Sequence, residues 1–145
     1  MQASSWWDRQ DIVDTVVRSL NAVDRGDWDG YRSSFTPDAK VGYERQKTLM
    51  SVAQFLDEVR GIVGHYAMVL HYATNFEITV DGDRASCQTY VLSQNVARPG
   101  GREPLDACLI YRDQLQRVER GWRLTRRMID VVSINGRSQK PQAHS

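Results

Sequence analysis

Residues 68–85 read MVLHYATNFEITVDGDRA, an extended run, a turn and the start of a second extended run, and this hairpin dictates the register of any sheet the chain builds. Val80 through Arg84 form the turn region, where Asp81-Gly82 supplies the positive φ angles that a two-residue connection needs. Side chains alternate between the two faces of a strand. Val69, His71, Ala73 and Asn75 are therefore expected on one face, with Leu70, Tyr72, Phe76, Ile78 and Val80 on the other. His71 falls in mid-strand, not in a loop.

Flanking this hairpin are segments that alternate between helix and strand signals. Ser4 or Ser5 can cap a helix whose Asp8 and Asp11 suit a positive N-terminal dipole, and Ile12, Val13, Val16, Val17, Leu20 and Val23 form its apolar stripe. Asp24 continues that stripe, about 40° to 80° around the axis from Leu20 and Val16. Gly26 ends the helix. Asp27 caps a short second helix bearing Trp28, Tyr31 and Phe35, which Pro37 and Asp38 break. Ala39 to Arg45 alternates like a strand, with Val41 and Tyr43 on one face. Ser51 and Gln54 match a capping box for a third helix, which carries Val52, Phe55, Leu56, Val59, Ile62 and Val63 and stops near Gly61 to Gly64. After the hairpin strand come Ala85 to Ala97, a Pro- and Gly-rich loop, Leu105 to Val118, a Glu119-Arg120-Gly121 turn and Trp122 to Ile134. Residues 135–145 are polar and aperiodic, a loose tail after a single domain over 1–134.

Three helices toward the N-terminus with one short and four long strands predict an α+β fold. Its strongly curved, mostly antiparallel sheet wraps into a cone, a barrel-like shape that the helices close around a central pocket. With 145 residues and 41% apolar content the chain can bury a core without disulfides or metals. A net charge of +1, from 19 basic and 18 acidic residues, gives no bulk electrostatic case for nucleic acid or an anionic membrane. Cys87 and Cys108 have no metal-ligand spacing, and three dispersed histidines make no metal set. Nicotinamide and flavin motifs are absent, so no cofactor is expected. No run is long enough to span a bilayer, and Trp6-Trp7-Asp8 stands where a secretory leader would need a basic start and an apolar centre, so a cytoplasmic location is expected.

Three stretches, AVDRGDWDGYRSSFTPDAKVGY, HYATNFEITVDGDRA and RVERGWRLTRRMID, resemble the SnoaL-like group of the nuclear transport factor 2-like superfamily. Scytalone dehydratase and hexachlorocyclohexane dehydrochlorinase belong to that group. The resemblance implies a catalytic dyad of Asp24 and His71 in the cone. It also implies a water-holding role for Tyr43 of the kind scytalone dehydratase uses, although the dehydrochlorinase has no tyrosine there. The second catalytic histidine of scytalone dehydratase has no counterpart on the late strands. The β subunits of ring-hydroxylating dioxygenases share the cone, a His-x-x-x-Asn strand like His71–Asn75 and an ending like GWRLTRRMID, which implies a non-catalytic partner of an iron-sulfur α subunit as the alternative. Family habit further implies a homo-oligomer, a trimer ahead of a dimer.

An Asp bonded to one imidazole nitrogen fixes the tautomer and leaves the other nitrogen as a directed base. Such apparatus suits a cofactor-independent lyase or isomerase of a small hydrophobic cyclic compound. Tyr43, if directed into the cone, can polarise a hydroxyl or carbonyl. On the residues alone Asp24 reads as a solvated helix end and His71 as a satisfied core histidine; the resemblance favours the dyad. Trp28, Tyr31, Phe35, Tyr90, Leu109 and Tyr111 are candidates for pocket lining or core. Arg112, Arg117, Arg120, Arg123, Arg126 and Arg127 read as a solvated basic face, with Arg127 also placed near the pocket mouth as a substrate contact.

Overall fold

The computed structural model describes residues 5–140 and begins with helix α1, Trp6–Arg25, capped by the Ser5 hydroxyl accepting from the Asp8 amide at 2.9 Å. Gly26 ends it in the left-handed conformation at φ 68°, a backbone state that glycine adopts without a Cβ clash. Helix α2 (Trp28–Ser33) stops before Phe35, two residues short of the predicted extent, because Phe35 already opens strand β1 (Phe35–Tyr43). Strand β2 (Thr48–Ser51), not anticipated from the sequence, pairs antiparallel with β1 and leads into α3 (Val52–Val63) through the Ser51/Gln54 capping box. Strands β3 (Met68–Asp81), β4 (Arg84–Val96), β5 (Leu105–Val118) and β6 (Gly121–Ile134) follow as long antiparallel neighbours. A two-residue strand β7, Arg137–Ser138, folds back on β6, so 135–140 is not the loose tail expected; residues 141–145 of that tail lie outside the described residues.

The strand order is β2-β1-β6-β5-β4-β3, with β1 and β6 parallel and β7 attached to β6. The sheet is mixed α+β in setting, curved and unclosed. It is a cone open along one side, not a closed barrel, because β3 and β2 end the order without pairing to each other. α1 lies across β3 and β6, and α3 packs on β1 and β2. Ile12, Val16, Leu20, Val41, Leu56, Leu115 and Leu124 are buried between helices and sheet. The outer face leaves Tyr72, Tyr90 and Leu92 exposed. No helix among the described residues is long and apolar enough to cross a membrane.

The curvature is produced by bulges, which add a residue to one strand and bend it. In β3 the register passes from Thr74↔Tyr90 to Glu77↔Gln88, so Asn75 and Phe76 together oppose Thr89. Asn75 holds φ 53°, a left-handed angle that Asn tolerates better than a β-branched residue. The extra residue reverses the strand's phase. Phe76, Ile78 and Val80 therefore pack on the core along with Ala73, on the same side as His71 and not on the opposite side as strict alternation had it. At the β3–β4 turn the pairing Asp81↔Arg84 makes Gly82-Asp83, not Asp81-Gly82, the two central residues, with the positive φ at Gly82.

A second bulge does the same to β6. Leu115 pairs with Leu124 and Gln114 with Arg126, leaving Thr125 extra, so Trp122 and Leu124 face inward and then Arg127 and Ile129 do. Arg127 is fully buried, which corrects its expected place at a pocket mouth on a solvated face. Its Nε and Nη2 donate to the two Asp113 oxygens at 2.8 and 2.9 Å, and Nη1 donates to Ser19 at 3.0 Å. Burial works against its charge, yet the Asp113 carboxylate more than compensates and holds the guanidinium above its ordinary range. Removing one partner of such a pair costs about 3–5 kcal/mol, since the other charge is left alone in the interior.

Candidate active site

Asp24 occupies the last turn of α1, where the partial negative charge of the helix end disfavours a carboxylate by about 0.3–1 kcal/mol. Two donors from β3 answer that cost. The His71 backbone amide donates to Asp24 Oδ2 at 3.0 Å, and His71 Nδ1 lies 2.6 Å from Asp24 Oδ1. β3 ends the sheet order, so Asp24 also occupies a backbone donor on an edge strand. A carboxylate only accepts, which puts the imidazole proton on Nδ1 and leaves Nε2 as the basic nitrogen. The side chains of His71 and Asp24 are 11% and 14% exposed, shielded but reachable.

His71 forms part of the wall of an interior cavity of about 240 Å³ between α1, α3 and the concave sheet. The lining is chiefly apolar, from Leu20, Val23, Phe55, Val59, Val63, Leu109, Ile129 and Val131, with Tyr31, Tyr43, Tyr111, Ser93 and Asn95 adding polar atoms. Wider clefts on the outer face of the sheet, one around Glu44, Glu77, Arg112 and Arg126 and another around Tyr72, Leu92 and Cys108, do not reach His71.

Of the sequence candidates, His71, Tyr43, Tyr31, Leu109 and Tyr111 meet at this cavity, with Asp24 held behind His71. Tyr43 lies tilted against Phe55, with ring centroids 6.0 Å apart and planes at 47°. Burial, with the nearby Glu58 charge, raises its phenol above the ordinary range and keeps the hydroxyl a hydrogen-bond donor. Burial likewise pushes Tyr31 up to about 12, although Arg127 beside it opposes the shift. The other four candidates lie elsewhere. Trp28 packs beneath the Arg60 guanidinium, 5.6 Å from its ring, and Phe35 is a core residue between Tyr31 and Arg127. Tyr90 points outward and is 45% exposed, since even-numbered positions of β4 face away from the cavity. Arg127 lies in the core, saturated by Asp113 and Ser19.

Ser93 and Asn95 were not foreseen, although they continue the buried alternation of Ala85, Cys87, Thr89 and Val91 along β4, which could have placed them on the inward face. The Cys87 thiol, pushed up to about 11 by burial, is no nucleophile at neutral pH. No group of three or more His, Cys, Asp or Glu side chains suited to a metal occurs among the described residues.

A model of the SnoaL-like domain matches residues 4–128. An uncharacterized protein of Mycobacterium tuberculosis, Rv2910c, is 30% identical over 125 residues, covering 83% of each chain. A solved structure from Novosphingobium aromaticivorans, provisionally assigned as an aromatic ring hydroxylase, is 26% identical with a TM-score of 0.77 and covers 92% of this chain and 95% of that one. The hexachlorocyclohexane dehydrochlorinase LinA-type3 of Novosphingobium barchaimii is 21% identical, covers 92% and 94%, and superposes with a TM-score of 0.73, a likeness of fold.

Proposed function

The chain belongs to the SnoaL-like domain family, as three of its sequence stretches led one to expect, and from that premise we propose that it is a cofactor-independent lyase or isomerase of a small apolar ring compound. One observation carries the reading: the 2.6 Å contact between Asp24 and His71 at the wall of an apolar cavity. His71 Nε2 takes a proton from a carbon next to a leaving group or carbonyl. In the elimination, the C–H electron pair becomes the new double bond while the leaving group departs with its own pair. Asp24 stabilises the resulting imidazolium, which returns the proton to a departing hydroxide or, in an isomerisation, to a second carbon. Tyr43, neutral at physiological pH, donates a hydrogen bond to the oxygen or halide on which charge develops. The apolar walls exclude water and strengthen each of these interactions.

The test is turnover of three probes in deuterium oxide followed by NMR: a β-hydroxycyclohexanone, a β,γ-unsaturated cyclohexenone and hexachlorocyclohexane. The wild type is expected to convert at least one, and His71→Ala to slow that conversion by about a hundred- to ten-thousand-fold. Unchanged turnover in His71→Ala, or none by the wild type, overturns the reading. The 26% identity to a chain provisionally assigned as an aromatic ring hydroxylase favours a second reading, a non-catalytic β-type subunit. Co-purification with an iron-sulfur α chain supports that alternative; an isolated, catalytically active protein removes it.

A further inference from the structure

The cavity wall beside His71 carries a polar pair that the proton transfer does not use. Ser93 is paired with His71 across β3 and β4, and Asn95 with Val69. Directly opposed residues hold their Cβ atoms about 5 Å apart, so Ser93 and His71 are neighbours on the cavity wall. Ser93 and Asn95 are each only 6% exposed, and both line the cavity. Asn95 Nδ2 donates one hydrogen to the Leu105 carbonyl at 2.9 Å and the other to Ser93 Oγ at 3.3 Å. The amide cannot be reversed, because Oδ1 would then face the Leu105 carbonyl, acceptor against acceptor.

This arrangement commits both amide hydrogens and one lone pair of the serine. Among the described residues, neither the Ser93 hydroxyl hydrogen nor Asn95 Oδ1 has a partner. No buried side-chain nitrogen or oxygen among the described residues lacks a partner, so Asn95 Oδ1 keeps accessible surface instead of being sealed in the core. This open acceptor and the Ser93 hydroxyl hydrogen are complemented by a ligand group that both donates and accepts.

We infer that Ser93 and Asn95 are the specificity anchor of the site, and that its substrate is a ring bearing a hydroxyl beside the carbon whose proton His71 removes. The inference rests on the proton-transfer reading and narrows its substrate class. A hydroxyl accepts from Ser93 and donates to Asn95 Oδ1, satisfying both; a carbonyl meets only the serine; a chlorine substituent cannot donate to Oδ1. Sites built around a substrate hydroxyl reject the analogue that lacks it, because their own polar groups then stay unpaired.

Three rings of similar size, phenol, toluene and chlorobenzene, provide the test, titrated against the labelled protein by NMR. Phenol is expected to bind about tenfold more tightly than either of the others. Ser93→Ala should cut that preference about five- to tenfold while leaving toluene affinity unchanged, which also reports an intact cavity. Ser93→Cys, nearly isosteric and a weak donor, should lose the preference in the same direction. Equal binding of the three rings by the wild type, no phenol binding at about 10 mM, or a preference that survives both substitutions overturns the anchor. If the preference holds while His71→Ala keeps full turnover, the proton-transfer reading fails alone; if turnover is lost in His71→Ala but the rings bind equally, the anchor fails alone.

Discussion

Asp24 shows how much one side chain can settle. Its two oxygens grip a single residue of β3 at both the backbone and the ring, so the imidazole is fixed in orientation and in tautomer. Asp24→Asn separates these effects. The amide oxygen can still accept from the His71 backbone, but the amide nitrogen now donates toward Nδ1 and forces the ring proton onto Nε2. Nitrogen NMR of the His71 ring is expected to show Nδ1–H in the wild type and Nε2–H in Asp24→Asn, with turnover reduced about a hundred- to ten-thousand-fold. An unchanged tautomer would remove Asp24 from its orienting role. The pairing of Asp24 with His71 was expected from the family resemblance alone, since on the residues themselves Asp24 reads as a solvated helix end and His71 as a satisfied core histidine. Ser93 and Asn95 went unread because a polar residue on a buried strand face declares its role only when the groups opposite it are known.

Bulges at Asn75 in β3 and at Thr125 in β6 decide which side chains of those strands face the core, and β6 shifts register once more at Val132. Without the one at Asn75, Phe76, Ile78 and Val80 would turn away from the face that carries His71; without the one at Thr125, Arg126 would be buried in place of Arg127. Strict alternation cannot foresee either, since one extra residue inverts every position after it. Asn75 does give a local hint, being a residue that accepts a positive φ. Asn75→Val places a β-branched side chain at φ 53° and is expected to cost about 1–3 kcal/mol, whereas Asn75→Gly should be neutral within about 0.5 kcal/mol. Urea unfolding midpoints of the two variants measure the difference, and coincident midpoints would show that the angle carries no strain.

At the level of the whole molecule, Asp8 and Arg117 tie the first turn of α1 to two distant hairpins. Arg117 donates to Asp8 at 2.6 and 3.2 Å, reaches Asp83 and the Gly82 carbonyl at the β3–β4 turn, and stacks on Trp122 at 4.6 Å; Trp122 Nε1 donates to Asp8 at 3.2 Å. The hydrogen bonds from Arg117 hold the Asp8 carboxyl well below the usual carboxylate range, against the opposing effect of partial burial. A depressed carboxyl stabilises the fold fully above its unfolded value near pH 4, and that stabilisation is lost as pH falls below it toward the folded value. Asp8→Asn should therefore lower Tm by about 2–6 °C at pH 7 and flatten the decline of Tm below about pH 4. Equal slopes for wild type and variant on the acid limb would contradict this linkage.

Caps, stripes and turn residues are local, acting within one turn of helix or between near neighbours in a strand. The chain's sequence by itself therefore determined three helices, five of its seven described strands and the α+β class. It also determined that one histidine would sit in mid-strand. Tertiary structure alone decided that Arg127 is a core cation bound to Asp113, that Tyr90 faces outward, and that Ser93 stands beside His71. The physical reason is common to all three. Which face of a strand becomes interior depends on register and on the bulges that shift it, and those are set by pairing between residues far apart in the chain.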